Sequence, residues 1–228
     1  MESLSQLPKL HSLHLIQTSV TGTGLRRLGN ASRPLSLSLT ADSLSVDDLR
    51  QLKHVSGLRS LSLTSLAHEG QLLFLDDLEQ ISMLQLRGVR LTRAGIDMLN
   101  RRTKLHVSLN LVDAQDEELS ELAQLQVMRS LTVQNSASMT DAGWKHLEGA
   151  GIQLLTVVQS NLTDNGMASI AKCDKLEHLM IYGAPITDAA IEHLRAFPRL
   201  RYLTLNKTQV SEEGLKRLKK ARPTLQIR

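Results

Sequence analysis

Aliphatic residues recur along the chain in a short pattern whose clearest copy lies at residues 176–194. Leu176, Leu179 and Ile181 have the spacing LxxLxL, which places apolar side chains on one face of a strand. Thr187 follows as a predicted helix N-cap, and two apolar residues three apart then form one face of a short helix. The pattern therefore predicts a strand, a turn and a helix. Such a unit buries its apolar residues only against neighbouring copies of itself.

Copies of this unit occur throughout the chain, at steps of 23 or 24 residues between equivalent strand positions. The regular steps predict that two aliphatic columns are buried and that the hydroxyl column between them faces solvent. The residues predicted to be buried are Leu13, Leu15, Leu37, Leu39, Leu61, Leu63, Leu84, Leu86, Leu109, Leu131, Leu155, Leu179, Ile181, Leu203 and Leu205, and those predicted to face solvent are Ser38, Ser62, Thr132, Thr156 and Thr204.

The LxxLxL units resemble the leucine-rich repeat family, whose repeats run over 20–29 residues. They look most like the helix-bearing subtype with a T-D-x-G-L-x-x-L turn, seen here as TDAGWKHL from Thr140 and TDNGMASI from Thr163. The resemblance implies an α/β fold, a right-handed solenoid with parallel strands on the concave side and short helices on the convex side. The spacing of the repeats predicts one domain over residues 1–228, with nine repeats and a half-repeat at each end, the first including Leu4, Leu7, Pro8 and Leu10.

Some repeats depart from the regular pattern. Repeat three, whose strand holds Leu61 and Leu63, has no Ser or Thr cap in register. We therefore expect a shifted helix in which Leu72, Leu75 and Leu78 pack inward. Trp144 occupies a helix position that is aliphatic in other repeats and is expected to be buried. The column that holds Asn in many family members contains hydroxyl residues such as Ser136 and apolar residues, so hydroxyl groups are expected to replace only part of the usual Asn hydrogen bonds.

Composition limits the type of core and the type of protein. Hydrophobic residues make up 41% of the chain and aromatic residues only 2%, so the core must consist of Leu, Ile and Val. Cys173 is the only cysteine, which excludes an internal disulfide, and we interpret it as a surface thiol in a loop. The N-terminal residues do not resemble a signal peptide, and no apolar run reaches the length of a membrane span. We therefore expect a cytoplasmic location and no membrane contact.

The net charge of +4 is unevenly distributed. Residues 190–228 contain ten Lys or Arg and three Asp or Glu, a balance of +7. The basic residues between Lys216 and Lys220 either complement the C-terminal dipole of the last helix or form a docking site for an acidic surface or nucleic acid. Aromatic residues do not alternate with these basic residues as in a nucleic-acid stacking surface, so we expect nucleic acid to be the less suitable partner.

Motifs of catalysis, nucleotide binding and metal binding are missing from the sequence. The best candidates for chemistry would be His178 with Tyr182, but no further residue is placed to form a catalytic set with them. We therefore predict that the protein is not an enzyme and needs no cofactor or metal.

The exposed strand positions differ in character along the chain. Those of the first three repeats are mostly Ser and Thr. Those of repeats seven to nine, whose strands hold Leu155, Leu179 and Leu203, include both tyrosines of the chain. Tyrosine is enriched at binding hot spots, although it is also a good strand residue. We expect protein–protein recognition on the concave face, by a protein or peptide that contacts Leu154, Val158, His178, Met180, Tyr182 and Tyr202.

Two further interpretations stay open from the sequence. The chain could be a structural spacer within a larger protein, or it could bind an acidic surface through its basic C-terminal end. Its state of association is expected to be a monomer or an end-to-end assembly through uncapped termini.

Overall fold

The computed structural model describes residues 9–29, 34–66 and 68–228. In these ranges a parallel open sheet runs in sequence order from β1 to β10. Its strands are β1 (Ser12–Leu15), β2 (Leu35–Thr40), β3 (Leu58–Thr64), β4 (Met83–Arg87), β5 (His106–Val112), β6 (Met128–Gln134), β7 (Leu154–Val158), β8 (His178–Tyr182), β9 (Tyr202–Asn206) and β10 (Gln226–Ile227).

Short helices alternate with the strands. The α-helices span Gly22–Arg26, Val46–Arg50, Arg93–Asn100, Asp116–Leu122, Asp141–Lys145, Asp164–Ile170, Ala190–Ala196 and Glu212–Ala221, and 3-10 helices span Gln51–His54 and Glu69–Asp77. Alternation of helices with an open parallel sheet confirms the α/β solenoid and the leucine-rich-repeat pattern expected from the sequence.

The chain forms two compact units, Met1–Ser108 and Leu109–Arg228. In the first unit, Leu13 pairs with Leu37, Leu37 with Leu61, and Leu61 with Leu84. In the second unit, the strand pairs align Leu131, Leu155, Leu179, Leu203 and Ile227 in the same way. The predicted register is therefore confirmed for these strand pairs. The division into nine repeats within one domain stays a prediction, and Leu4, Leu7 and Pro8 of the N-terminal half-repeat lie outside the described residues.

Most of the predicted core is buried, with three exceptions. Leu13, Leu15 and Leu205 are only half-buried. Leu13 and Leu15 lie on β1, which pairs with β2 alone in the described sheet. Leu205 is only half-buried because β10 pairs only with Tyr202 and Leu203 and stops short of it. The predicted solvent-facing Ser and Thr residues are half-exposed, so the two faces of the strands are assigned correctly.

The irregular repeats follow their predictions in part. A 3-10 helix, Glu69–Asp77, replaces the α-helix of repeat three, and Leu72, Leu75 and Leu78 are buried as predicted. Trp144 is also fully buried.

Four carboxylates at or just before the first turn of a helix connect successive repeats in the second unit. Each accepts a hydrogen bond from the hydroxyl group of the Thr or Ser that starts the next helix, at 2.6–2.8 Å. Three of the four also accept the backbone N–H of that residue at 2.8 Å. We call these four residues the carboxylate ladder: Asp116, Asp141, Asp164 and Asp188, with Thr140, Thr163, Thr187 and Ser211 as their respective donors.

The carboxylate ladder explains the glycine of the T-D-x-G motif. A Cβ atom at Gly166 would lie 2.7 Å from Oδ1 of Asp141, and Gly143 and Gly214 face Asp116 and Asp188 in the same way. Glycine is therefore needed because the carboxylate of the preceding repeat occupies the place of a side chain.

The repeat that starts at Thr187 has alanine at this glycine position. Its regular helix begins only at Ala190, so the prediction of Thr187 as the helix N-cap is wrong, and Ala189 occupies that position. Thr187 still accepts the N–H of Ala189 at 3.1 Å and donates to Asp164. We attribute the late start of this helix to the Cβ atom of Ala190, because the first turn must open to make room for it.

Candidate functional site

The six residues predicted to bind a partner lie on three adjacent strands of the second unit. The register of β7, β8 and β9 places Leu154 beside His178 and His178 beside Tyr202, and it places Val158 beside Tyr182. Met180 lies between these two rows, on the same face of β8. All six side chains are at least partly accessible, and Tyr202 is 41% exposed. We call these six residues the strand-face patch: Leu154, Val158, His178, Met180, Tyr182 and Tyr202.

Two contacts fix side chains within the strand-face patch. The rings of His178 and Tyr202 stack with their centroids 4.5 Å apart and their planes 11° from parallel. The hydroxyl group of Tyr182 lies 4.0 Å from the sulfur of Met180. A stacked aromatic pair is partly ordered before any partner arrives, so less side-chain entropy is lost on binding.

The strand-face patch contains no Asp, Glu, Lys or Arg, and charged residues lie beside it. Glu177 and Arg201 precede β8 and β9, and Lys207 follows β9. Arg201 and Lys207 are exposed. This arrangement has the character of an interface with an apolar centre and a polar rim.

The pair considered for chemistry, His178 and Tyr182, is engaged separately. His178 stacks on Tyr202, whereas the Tyr182 hydroxyl contacts Met180. In the parts of the chain that the structure describes, no three His, Cys, Asp or Glu side chains are grouped to hold a metal ion.

Cys173 differs from its prediction as a surface thiol. It is fully buried, and its sulfur donates to the carbonyl oxygen of Leu147 at 3.0 Å. Burial, together with the nearby negative charges of Asp174 and Glu148, raises the pKa of the Cys173 thiol to about 12. The thiol is therefore protonated at neutral pH and packs as a small apolar side chain. Its position was detectable, because Cys173 stands 24 residues before the buried Phe197.

The turn column that lacks the usual Asn is partly satisfied by serines. Ser136 and Ser160 are buried, and the Ser136 hydroxyl accepts the N–H of Ala114 at 2.9 Å and donates to the carbonyl of Gln134 at 3.2 Å. The Ser160 hydroxyl accepts the N–H of Ser136 at 3.4 Å. The prediction that hydroxyl groups take over part of the Asn role is confirmed at these two positions.

A second accessible surface lies at the basic C-terminal helix. An open groove of about 560 Å³ runs beside Glu212–Ala221 and is lined by Leu215, Lys216, Lys219, Lys220, Pro223 and Ile227. We call it the lysine groove. Its lining combines three lysines with three apolar residues.

The carboxylate ladder is the feature that sequence reasoning missed. Within its own repeat, Asp188 follows the predicted cap residue Thr187, where an acid is favourable at the start of a helix. Its carboxyl group instead accepts from the N–H and hydroxyl of Ser211, and both bonds hold the pKa of Asp188 below its ordinary value, with a further contribution from Arg217. The signal in the sequence is the glycine three residues after Thr140, Thr163 and Ser211, which is Gly214 for Ser211.

None of the described helices is long and apolar enough to cross a membrane. No family model and no curated protein matches the chain. Among solved structures, an internalin, inlF, from Listeria monocytogenes str. 4b F2365 is similar at 17% identity with a TM-score of 0.47, over 96% of this chain and 68% of that chain.

Two further solved structures are similar at comparable levels. The Rad7 and Elc1 complex in yeast matches at 15% identity with a TM-score of 0.46, over 88% of this chain and 70% of that chain. An internalin C2, inlC2, from Listeria monocytogenes str. 4b F2365 matches at 20% identity with a TM-score of 0.42, over 87% of this chain and 80% of that chain.

Proposed function

Since the chain has a leucine-rich-repeat fold with an accessible strand face, we propose that it is a protein-interaction module that binds a protein or peptide through the strand-face patch. The stacked pair of His178 and Tyr202 is the observation that supports this proposal most directly. On a solvent-facing strand surface that is elsewhere rich in Ser and Thr, it offers a preformed aromatic surface.

The composition of the strand-face patch favours a partner with apolar side chains. Leu154 and Val158 flank the aromatic rows, and Met180 fills the space between them. A partner that covers these residues removes little polar surface from water, because the patch has hydroxyl, imidazole and thioether groups but no carboxylate or ammonium group at its centre. Arg201 and Lys207 at the rim would speed the approach of an acidic partner.

The experiment uses a phage-displayed library of random linear peptides, selected on the immobilised chain, followed by affinity measurements with the enriched peptides. We expect Tyr182→Ala and Tyr202→Ala each to weaken binding about 30-fold, which corresponds to about 2 kcal/mol for a hot-spot tyrosine. Ser38→Ala and Ser62→Ala, on the strand face of the first unit, are the matched controls and should bind as the unaltered chain does.

Folding of each variant is followed through the fluorescence of Trp144, the single tryptophan of the chain. Tyrosine variants that unfold would show that these side chains are core residues. Enriched peptides that bind the folded tyrosine variants as tightly as the controls would refute the strand-face patch as the binding site.

Two substitutions of His178 distinguish ring stacking from hydrogen bonding within the same site. His178→Phe keeps an aromatic ring against Tyr202 and is expected to retain most of the affinity, whereas His178→Ala removes the stack and is expected to weaken binding. Equal losses in the two variants would mean that the imidazole nitrogens, and not the stacked ring, contact the peptide.

A further inference from the structure

The lysine groove is separate from the strand-face patch and has a chemistry of its own. Its floor is apolar, because Leu215 and Ile227 are half-buried and Pro223 lies beside them. Its wall is the face of Glu212–Ala221 that carries Lys216, Lys219 and Lys220, all exposed. We propose that the lysine groove binds an acidic amphipathic helical segment of a partner protein.

The cations of this helix fall into two groups according to their contacts. Arg217 donates to the carboxylate of Asp188 at 3.1 Å, and Arg222 donates to the carbonyl of Leu200 at 2.9 Å. These two arginines thus tie the helix to the rest of the second unit. Their positive charge is directed at acceptors within the protein.

The three lysines of the groove are not used in this way. Among the described residues, Lys219 and Lys220 form no ion pair, and Lys216 approaches only Glu213 at 3.9 Å. The side chains of that pair are exposed by 72% and 74%, so the pair is screened by solvent and contributes little. Among the described residues the groove therefore presents three ammonium groups that are held in no close ion pair and that can pair with an incoming anion.

The spacing of the lysines fits a helical partner. Lys216 and Lys220 are four residues apart, and Lys219 is four residues after Leu215, so two adjacent rows run along the same helix face. A helix packed alongside can place aliphatic side chains on the apolar floor and carboxylates against both rows. This is the helix-in-groove mode of recognition, with charge complementarity setting the orientation.

A nucleic acid fits the same surface less well. Single strands bind to proteins by stacking bases on aromatic side chains and by pairing phosphates with cations. The lining of the lysine groove has cations but no aromatic residue. An apolar floor of Leu215, Pro223 and Ile227 favours aliphatic side chains over bases and phosphates.

The test measures binding of three probes to the full chain by fluorescence anisotropy. The first is a synthetic helical peptide of about four turns with leucines on one face and glutamates flanking them. The second has the same composition in scrambled order, and the third is an oligo(dT) strand. We expect the amphipathic peptide to bind at least about tenfold more tightly than either of the others, because only it satisfies floor and lysines together.

Two triple variants locate the binding. Lys216→Gln/Lys219→Gln/Lys220→Gln is expected to weaken binding of the amphipathic peptide about tenfold, a factor of about two for each exposed pair. Its matched control, Lys104→Gln/Lys145→Gln/Lys175→Gln, removes the same charge from exposed lysines elsewhere and is expected to change the affinity less than twofold.

One floor variant and the tyrosine variants complete the design. Ile227→Asn should weaken binding of the amphipathic peptide while leaving the fluorescence of Trp144 unchanged. Tyr182→Ala and Tyr202→Ala should leave the affinity for the amphipathic peptide unchanged. Failure of this inference is therefore distinguishable from failure of the proposed function. Equal binding of the scrambled peptide or of oligo(dT), or equal losses in the two lysine triples, would overturn the proposal.

Discussion

Replacing Gly143 by alanine tests the carboxylate ladder, because two physical effects give opposite signs for the same substitution. Alanine in place of glycine inside a helix stabilises it by about 1 kcal/mol when space is available. At Gly143, however, a Cβ atom would overlap Oδ1 of Asp116, lie 3.0 Å from its Cγ, and lie 2.9 Å from Cγ of Met139. The carboxylate must then move away from Thr140, or the first turn must open as it does before Ala190.

The magnitude follows from the bonds at risk. Asp116 accepts the N–H of Thr140 at 2.8 Å and its hydroxyl at 2.6 Å. Two hydrogen bonds to a half-exposed carboxylate contribute about 1 kcal/mol each. With about 1 kcal/mol gained from helix propensity, we expect Gly143→Ala to lower the free energy of unfolding by about 1 kcal/mol.

A double-mutant cycle with Asp116→Ala isolates the cause. Without the carboxylate, Gly143→Ala no longer meets it and is expected to be neutral or to stabilise by up to about 1 kcal/mol, so the coupling energy is about 1–2 kcal/mol. Urea unfolding followed by the fluorescence of Trp144 reads this out in the same repeat, since that side chain is fully buried.

Gly166 provides a matched comparison within the same unit. A Cβ there would lie 2.7 Å from Oδ1 of Asp141, but also 2.8 Å from Cδ1 of Leu162 and 3.0 Å from Cδ1 of Trp144. Asp141→Ala should therefore rescue Gly166→Ala only in part. A stabilising effect of Gly143→Ala in the unaltered chain, or an equal effect in both Asp116 backgrounds, would refute the role given to the carboxylate.

Three further predictions follow from burial and titration. Leu155→Ala, at a fully buried site, should lower the free energy of unfolding by about 2–5 kcal/mol, and Leu205→Ala, half-buried beside the short β10, should lower it by less, as measured by urea unfolding. Cys173 should resist N-ethylmaleimide in the native chain at pH 8 and react on denaturation, since its thiol is buried with a pKa of about 12; rapid native labelling would contradict this. The folded pKa of Asp188 lies below its ordinary value, so its stabilising effect is complete above about pH 4 and is lost as pH falls through the folded pKa. Acid titration of Asp188→Asn should show a shallower loss of stability in that window, and an unchanged acid profile would contradict the assignment.

The leucine columns were predictable because a period of 23 or 24 residues determines both the strand positions and their register. Leu37, Leu61 and Leu84 align as the sequence spacing requires. Burial at Leu205 was not predictable to the same degree, because it depends on how far the neighbouring strand extends. Periodicity identifies which face a residue occupies, whereas exposure depends on the neighbours that cover it.

The strand-face patch was predictable as a set of positions but not as a set of contacts. The spacing of 24 residues between His178 and Tyr202 predicts that they are neighbours on adjacent strands. It does not predict that their rings stack, since this depends on the side-chain rotamers of both residues. The Tyr182 hydroxyl likewise turns to Met180 and not to His178.

The carboxylate ladder is not predictable from a single repeat, because the residues of the T-D-x-G motif form their hydrogen bonds between two repeats. Thr140 accepts the N–H of Ala142 within its own helix at 3.2 Å and donates to Asp116 of the repeat before it. Asp141 accepts from the cap of the repeat after it, and Gly143 leaves the room that Asp116 needs. The residue type at each position of the motif thus depends on a contact with a residue about 24 positions away. The spacing of the helices on one side of the sheet is therefore fixed by polar bonds. The leucine columns fix the register of the strands, and this register brings Leu154, His178 and Tyr202 into one row.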